Sequence, residues 1–144
     1  GDGDVRLKML YAPLNSEDLR LVSGWAPVQI EFPAVGGTEG IAEVVGVGRS
    51  VQGVKTGDVV VQTKVGSGTW SDELVVDQDY VVPVDVDGVQ KEQLATWFGP
   101  SVALRTLDDY ENLNEGDVIV VDGASTVTGQ SVIQLANSRG LKTI

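Results

Sequence analysis

The residues best suited to ligand chemistry lie near the end of the chain, in a turn between two apolar segments. Val118–Val121 reads as a buried strand, residues 122–129 as a turn of small residues, and a helix is predicted from there to about Arg139. This order can place a dinucleotide pyrophosphate at the helix N-terminus, where backbone N–H groups lack intrahelical partners. We predict that the cofactor-binding residues are Ser125, Thr126, Val127, Thr128 and Gly129.

The composition of this turn leaves a second interpretation open. A dinucleotide-binding turn usually carries more glycines than this one does. Val127 is β-branched, so it resists positive φ and adds bulk where a phosphate would approach the backbone. The hydroxyls of Ser125, Thr126 and Thr128 supply hydrogen-bond donors in compensation. The alternative is a nucleotide-type fold that no longer binds its nucleotide.

Two missing residue types exclude several kinds of site. The chain contains no cysteine and no histidine. Zinc sites draw mainly on thiolate and imidazole ligands, so a zinc centre is not expected. Disulfides cannot form, and neither a Ser-His-Asp nor a Cys-His nucleophile can be assembled within the chain. Any chemistry must therefore use carboxylates, hydroxyls, amides or a bound cofactor.

Composition and charge narrow the choice of partners. The chain has 144 residues, of which 42% are hydrophobic, which is typical of a globular protein. Its net charge of −11 argues against nucleic acid and against an anionic membrane surface, because both need a basic patch. No apolar run approaches the ~20 residues of a membrane span. We expect neither a nucleic-acid nor a membrane partner.

The segments that position these residues fall into two regions. Up to about residue 100, short predicted strands at roughly ten-residue spacing favour a small antiparallel barrel or sandwich. These strands are predicted at 5–11, 40–48, 55–64, 69–77 and 80–87. A short helix is predicted over Asn15–Val22, with Ser16 as its cap.

The second region follows a different pattern. A helix is predicted over Lys91–Leu107 with an interruption at Gly99-Pro100, and a last strand over Leu141–Ile144 follows the helix near Arg139. One strand, one helix and a second strand cannot cover both faces of a parallel sheet. We therefore expect the sequence to be part of a longer protein.

Three stretches in this order resemble the medium-chain dehydrogenase/reductase superfamily, and within it the mitochondrial 2-enoyl thioester reductases. They are PAVGGTEG (33–40), GSGTW (66–70) and GQSVIQLA (129–136), and the resemblance extends from Val5 to Ile144. It implies a mixed β and α/β fold. In this fold a GroES-like antiparallel barrel over residues 1–100 precedes a linking helix and the truncated start of a Rossmann-type parallel sheet over residues 101–144.

The resemblance also implies an activity. It indicates NADPH as cofactor and reduction of the 2,3 double bond of an enoyl thioester carried by coenzyme A or acyl carrier protein. It further implies a homodimer when the protein is full length, and a mitochondrial location. The alternatives are a quinone oxidoreductase and a catalytically impaired relative that acts as a binding or assembly protein.

The resemblance indicates two candidate catalytic residues. Asn15 and Asp18 match an Asn-Pro-x-Asp stretch that lies near the nicotinamide in this family, although Ser16 replaces the proline. The Asn15 amide could hold the carboxamide or order the substrate carbonyl through its donor and acceptor. A role as helix N-cap or turn residue is an equal alternative. The second candidate is Trp25, which stands beside the position of the family's catalytic tyrosine.

That tyrosine and several other polar groups of the family are replaced in this chain. Ala26 occupies the tyrosine position and can neither donate a proton nor stabilise an enolate. Gly99 and Val102 replace an Asn and a Thr. Thr38 stands where zinc-dependent members carry a histidine ligand. Its neighbour Glu39 is expected to be structural, bonded to backbone or to an arginine such as Arg105, and the alternative is a catalytic role.

Overall fold

The computed structural model describes residues 1–26 and 30–144, which form two compact units, Gly1–Thr96 and Trp97–Ile144. The strands are β1 (Asp4–Tyr11), β2 (Ile41–Val47), β3 (Val59–Gln62), β4 (Glu73–Asp77), β5 (Val81–Pro83), β6 (Val118–Ile119) and β7 (Lys142–Thr143). The helices are α1 (Ser16–Val22), α2 (Lys91–Leu94), α3 (Phe98–Asp108) and α4 (Val127–Ser138). No helix in the described ranges is long and apolar enough to cross a membrane.

The first unit is built on a five-stranded antiparallel sheet in the order β4-β1-β2-β3-β5. Where β1 pairs with β4, the residues of both strands are alternately buried and exposed. One face of each strand therefore packs into the core. The core consists of Val5, Leu7, Ala42, Val44, Val60, Leu74, Val76 and Val81. This arrangement confirms the antiparallel part of the predicted fold.

The glycines around β2 allow other backbone segments to approach it closely. The β1–β2 register shifts between Arg6 and Leu7 and again between Met9 and Tyr11. A Cβ atom added at Gly48 would lie 2.2 Å from the carbonyl oxygen of Asp2. Any larger residue there would displace the backbone that leads into β1.

The N-cap of helix α1 lies one residue earlier than the sequence suggests. Asn15, and not Ser16, is the N-cap: its backbone is extended and its side chain accepts hydrogen bonds from the first turn. Asp18 completes a capping box by accepting from the Asn15 backbone N–H. The prediction of Ser16 as the cap was therefore wrong. An aspartate three residues after an asparagine supplies the reciprocal bond, which it cannot supply to Ser16.

The second unit consists of α3 and α4 packed together beside the parallel pair β6–β7. Its core is formed by Ala103, Leu107, Val132, Ala136 and Leu141. The helix predicted over Lys91–Leu107 is interrupted, but before Gly99-Pro100 and not at it, because α2 ends at Leu94 and α3 begins at Phe98. Pro100 lies in the first turn of α3, where its missing N–H leaves no hydrogen bond unmade. With the parallel pair, the fold is mixed β and α/β, as predicted.

Candidate functional site

A hydrogen-bonded network connects α1 with the segment before β2. The Asn15 Nδ2 atom donates to Glu39 Oε1 over 2.9 Å, although 24 residues separate the two in sequence. Thr38 Oγ1 donates to Asp18 Oδ1 over 3.1 Å. Asp18 is only 2% exposed, and Thr38 and Glu39 are buried beside it. The two carboxylates therefore stay inside the fold, each accepting from a neutral donor.

Two further buried side chains hold the backbone of this network. Gln62, on β3, donates through Nε2 to the Thr38 carbonyl oxygen over 2.9 Å. Thr69 Oγ1 donates to the Glu39 carbonyl oxygen, also over 2.9 Å. Both side chains are fully buried, or nearly so. These contacts fix the peptide at positions 38 and 39, so the Glu39 carboxylate has a defined direction.

The side chain of Asn15 has one unused hydrogen-bonding group. Its Oδ1 atom accepts from the backbone N–H groups of Glu17, over 2.9 Å, and Asp18, over 3.3 Å. One Nδ2 hydrogen goes to Glu39. A primary amide has two acceptor positions and two hydrogens. Asn15 is half-buried, and among the described residues only its second N–H is left without an acceptor, so this group can donate to a ligand.

These hydrogen bonds change the sequence-based interpretation of Asn15. Both interpretations apply at once, because the residue caps α1 and still has one free donor. It can donate to a carbonyl oxygen. It cannot also accept from a carboxamide, because both acceptor positions of Oδ1 are already used.

The position that holds histidine in zinc-dependent members of the superfamily has no ligand character here. The hydroxyl of Thr38 donates to Asp18, and its backbone oxygen accepts from Gln62. The described part of the chain contains no group of three or more acidic, histidine or cysteine side chains able to hold a metal ion. The Glu39 carboxylate accepts a hydrogen bond from Asn15. Arg105, named as a partner of Glu39 from sequence, pairs with Asp109, the C-cap residue of its own helix α3.

Trp25, the second predicted catalytic residue, lies far from Asn15 along the helix. Asn15 precedes the first residue of α1 and Trp25 follows the last by three, so about 10 Å of helix separates them. The Trp25 side chain is 85% exposed. It borders a surface depression with Leu19 and Val22. The structure therefore does not bring the two predicted catalytic residues together.

An apolar cavity of about 170 Å³ is lined in part by Asp18. Its walls come from α1, the segment before β2 and the turn that contains Gly66, and Phe32 and Trp70 contribute aromatic rings. Trp70 Nε1 donates to the Pro13 carbonyl oxygen over 3.0 Å. Trp70 thus holds the segment that leads into α1.

The predicted cofactor-binding turn ends on a capped helix. Thr126 is the N-cap of α4: its Oγ1 atom accepts from the Gly129 N–H over 3.0 Å and donates to the Gly123 carbonyl oxygen over 2.8 Å. Gly129 is enclosed by the turn, since a Cβ there would lie 2.3 Å from the Gly123 oxygen. The hydroxyl of Thr126 is therefore used within the turn, while Ser125 remains exposed.

Val127 does not need the strained backbone that the sequence suggested. It is the first residue of α4, and no described residue other than glycine has positive φ. Its side chain packs against α3: a Cβ atom added at Gly99 would lie 2.6 Å from Val127 Cγ1. Val127 is nevertheless about half exposed.

This arrangement fits a phosphate group at the start of α4. The first N–H groups of a helix have no intrahelical acceptor and carry the positive end of the helix dipole. The tight turn around Gly129 keeps that end open, and part of the Val127 side chain is directed towards Gly99. The exposed Ser125 and the N–H groups of Val127 and Thr128 are the groups that would hold a phosphate.

Sequence reasoning missed the partners that hold Asn15. Glu39 was expected to bond backbone or an arginine, and Gln62 was not singled out. A polar glutamine inside the apolar strand VVVQ is the one signal that could have indicated a buried network. A second pair was also missed: the phenol of Tyr11 hydrogen-bonds the Glu92 carboxylate, which raises the Tyr11 pKa.

Comparison with known proteins agrees with this architecture. Residues 1–86 match the model of the alcohol dehydrogenase GroES-like domain family. The mitochondrial enoyl-[acyl-carrier-protein] reductase of Arabidopsis thaliana is 41% identical over 143 residues, which cover 99% of this chain and 38% of the relative. The chain thus spans well under half the length of the relatives that it matches.

Solved structures show the same fold across both units. The complex of Etr1p with NADP and crotonyl-CoA superposes with a TM-score of 0.86 at 24% identity, over 99% of this chain and 45% of that one. A quinone oxidoreductase of Pseudomonas syringae pv. Tomato DC3000 gives a TM-score of 0.85 at 26% identity, over 99% and 44% of the two chains. These findings confirm the predicted superfamily and fold class. The chain belongs to the alcohol dehydrogenase GroES-like domain family, within the medium-chain dehydrogenase/reductase superfamily.

Proposed function

We propose that the complete protein reduces the 2,3 double bond of an enoyl thioester, carried by coenzyme A or acyl carrier protein, with NADPH as the reductant. The observation that carries this proposal is the 41% identity with a mitochondrial enoyl-[acyl-carrier-protein] reductase along 99% of the chain. NADPH would supply a hydride to C3 of the substrate. The C2=C3 electron pair then moves towards the thioester oxygen, a proton from water adds to C2, and NADP⁺ and a saturated thioester result.

The turn before α4 supports the cofactor part of the proposal. Its exposed helix N-terminus and the Ser125 hydroxyl would bind a phosphate of the cofactor. The Thr126 cap and the enclosed Gly129 give this turn a fixed shape. The residues therefore suit a dinucleotide, although the hydroxyl of Thr126 is used within the turn.

The network around Asn15 supports the substrate part. Hydride addition places negative charge on the thioester oxygen, so a preorganised N–H donor there lowers the barrier. The free N–H of Asn15 is such a donor. Trp25 is 85% exposed and supplies no preorganised donor to this network.

Ala26 favours a second candidate function, that of a catalytically impaired relative acting as a binding or assembly protein. A methyl group can neither donate to the thioester oxygen nor supply a proton, whereas the tyrosine of the resembled reductases does so. The similarity to a quinone oxidoreductase at 26% identity favours quinone as an alternative substrate class.

Two measurements on the complete protein separate these functions. Binding of NADPH by the folded state alone raises the midpoint of thermal unfolding. Loss of absorbance at 340 nm with crotonyl-CoA then reports turnover, and a quinone tests the alternative substrate. Stabilisation with thioester-dependent oxidation supports the reductase, and stabilisation without oxidation of any substrate supports the binding protein. An unchanged midpoint of thermal unfolding at millimolar NADPH would contradict the reductase proposal.

Location and assembly extend the same proposal. The Arabidopsis relative is a mitochondrial protein by name, and we propose the same compartment here. We also propose that the complete protein pairs with a second copy of itself. Fractionation of cells and light scattering of the purified protein test these two points.

A further inference from the structure

We infer that Glu39 is a positioning residue, which fixes the Asn15 amide so that its second N–H is a donor for a ligand carbonyl oxygen. This inference rests on the proposed function, since it assigns a role within the proposed reduction. It goes further by naming the residue through which Asn15 is held and by limiting Asn15 to a donor. It also gives Glu39 a role beyond that of a structural contact.

The first step is the orientation of the amide. Two backbone N–H groups, those of Glu17 and Asp18, point at one end of the Asn15 side chain. A carboxylate oxygen of Glu39 faces the other end. N–H groups require an acceptor and a carboxylate requires a donor, so the flipped amide would lose all three bonds. The orientation therefore follows from its surroundings.

The second step is the rigidity of the carboxylate. The Glu39 backbone oxygen accepts from the buried Thr69, and the preceding Thr38 is bonded through both its hydroxyl and its carbonyl oxygen. Because the peptide is held on both sides, the Glu39 side chain approaches Asn15 from a fixed direction. Supporting hydrogen bonds of this kind keep a functional group within a narrow range of geometry.

The third step is the direction of the remaining donor. An amide is planar, so once Oδ1 and one Nδ2 hydrogen are held, the second hydrogen has a single direction. Asn15 is only partly buried, so its side chain is not closed off by the fold. The expected ligand group is a carbonyl oxygen, either of a thioester or of a carboxamide, and not a group that must itself donate.

The test exchanges donor and acceptor between the two positions. Asn15→Asp keeps an N-cap acceptor for α1 but removes both Nδ2 hydrogens and sets two carboxylates against each other. Adding Glu39→Gln supplies a side-chain amide that can donate to the new carboxylate. The double variant thus regains a hydrogen bond between the two positions, with position 39 donating and position 15 accepting. Position 15 still lacks a free N–H. Glu39→Gln alone is the second single variant of the cycle, because its neutral amide oxygen can still accept from Asn15, although less strongly than a carboxylate does.

Thermal unfolding and steady-state kinetics of the complete protein are measured for all four forms. We expect Asn15→Asp to lower both the unfolding temperature and kcat for crotonyl-CoA. In the double variant the unfolding temperature should recover, while kcat stays reduced by about 100-fold. Glu39→Gln alone should lower kcat, but by less than Asn15→Asp does, because the neutral amide oxygen holds Asn15 less firmly than the carboxylate. Recovery of kcat in step with stability would show a purely structural contact and overturn the inference.

The failure of the proposed function gives a different result. If the parent protein binds NADPH but turns over no substrate, the reductase proposal fails, and the dissociation constant for NADPH replaces kcat in the same comparison. Weaker binding in the double variant at recovered stability then supports the donor role, and equal binding overturns it. If the double variant does not regain the unfolding temperature lost in Asn15→Asp, the inference is overturned even in an active enzyme. A parent protein that binds neither NADPH nor crotonyl-CoA also overturns it.

Discussion

Gly99 of α3 and Val127 of α4 occupy complementary positions: a Cβ atom at Gly99 would lie 2.6 Å from Val127 Cγ1 and 3.2 Å from its Cβ. Both residues depart from the pattern of the resembled reductases, with glycine in place of an asparagine and valine in a turn that usually carries glycine. The valine side chain takes the space that a side chain on Gly99 would need. The two departures therefore belong to one packing arrangement.

The first prediction concerns this pair. Gly99→Ala should lower the free energy of unfolding of the second unit by about 1–3 kcal/mol, because the added methyl overlaps Val127 Cγ1. Val127→Ala removes that atom, so the double variant Gly99→Ala/Val127→Ala should recover much of the loss. Denaturant unfolding of the four forms gives the coupling energy.

The control for this pair is Gly129→Ala, whose methyl would meet the Gly123 carbonyl oxygen at 2.3 Å. That contact is with backbone, so Val127→Ala should not rescue it. Equal rescue of both alanine variants would show that Val127 acts through the turn as a whole and not through Gly99.

The second prediction concerns the buried carboxylate of Asp18. Thr38→Val keeps the shape of the side chain but removes the hydroxyl that donates to Asp18 Oδ1. Asp18 is 2% exposed and cannot recover the lost bond from bulk water, so stability should fall by about 1–3 kcal/mol. Thr38→Ser keeps the hydroxyl and should retain most of that stability. Chemical unfolding of both variants checks this, and a Thr38→Val variant as stable as the parent protein would show that the hydrogen bond to Asp18 contributes no stability.

These contacts also show how far the sequence predicted the molecule. Short apolar segments at regular spacing located the strands of the described ranges, because strand formation depends largely on local sequence. The partnership of Asn15 with Glu39, and that of Gly99 with Val127, could not be predicted in this way. Each depends on segments that are distant in sequence and brought together by tertiary packing, and a single sequence carries no signal for such pairs.

The third prediction concerns the titration of Tyr11. The hydrogen bond to the Glu92 carboxylate, with the repulsion between that carboxylate and a phenolate, raises the Tyr11 pKa above its ordinary value of 10.0. The stability from this contact is therefore present below pH 10 and lost as pH rises through the raised pKa. Glu92→Gln removes the negative charge and should move the Tyr11 pKa back towards 10.0.

Absorbance of the phenolate near 295 nm follows this titration. The chain has three tyrosines, so Tyr11→Phe identifies the Tyr11 component by its loss. The three forms are compared at one ionic strength, because exposed charges are screened by salt. An unchanged titration curve in Glu92→Gln would show that Glu92 does not set the Tyr11 pKa.

The last prediction concerns the residue that stands in place of the family's tyrosine. Ala26→Tyr supplies a phenol hydroxyl that can donate to the thioester oxygen as negative charge develops on it. If the proposed function holds, kcat/KM for crotonyl-CoA should rise by about 10- to 100-fold. Ala26→Phe is the matched control, because it adds nearly the same ring without the hydroxyl. A rise in the tyrosine variant alone assigns the gain to proton or hydrogen-bond donation. An equal rise in both would assign it to apolar contact, and no rise in either would mean that the position does not face the substrate.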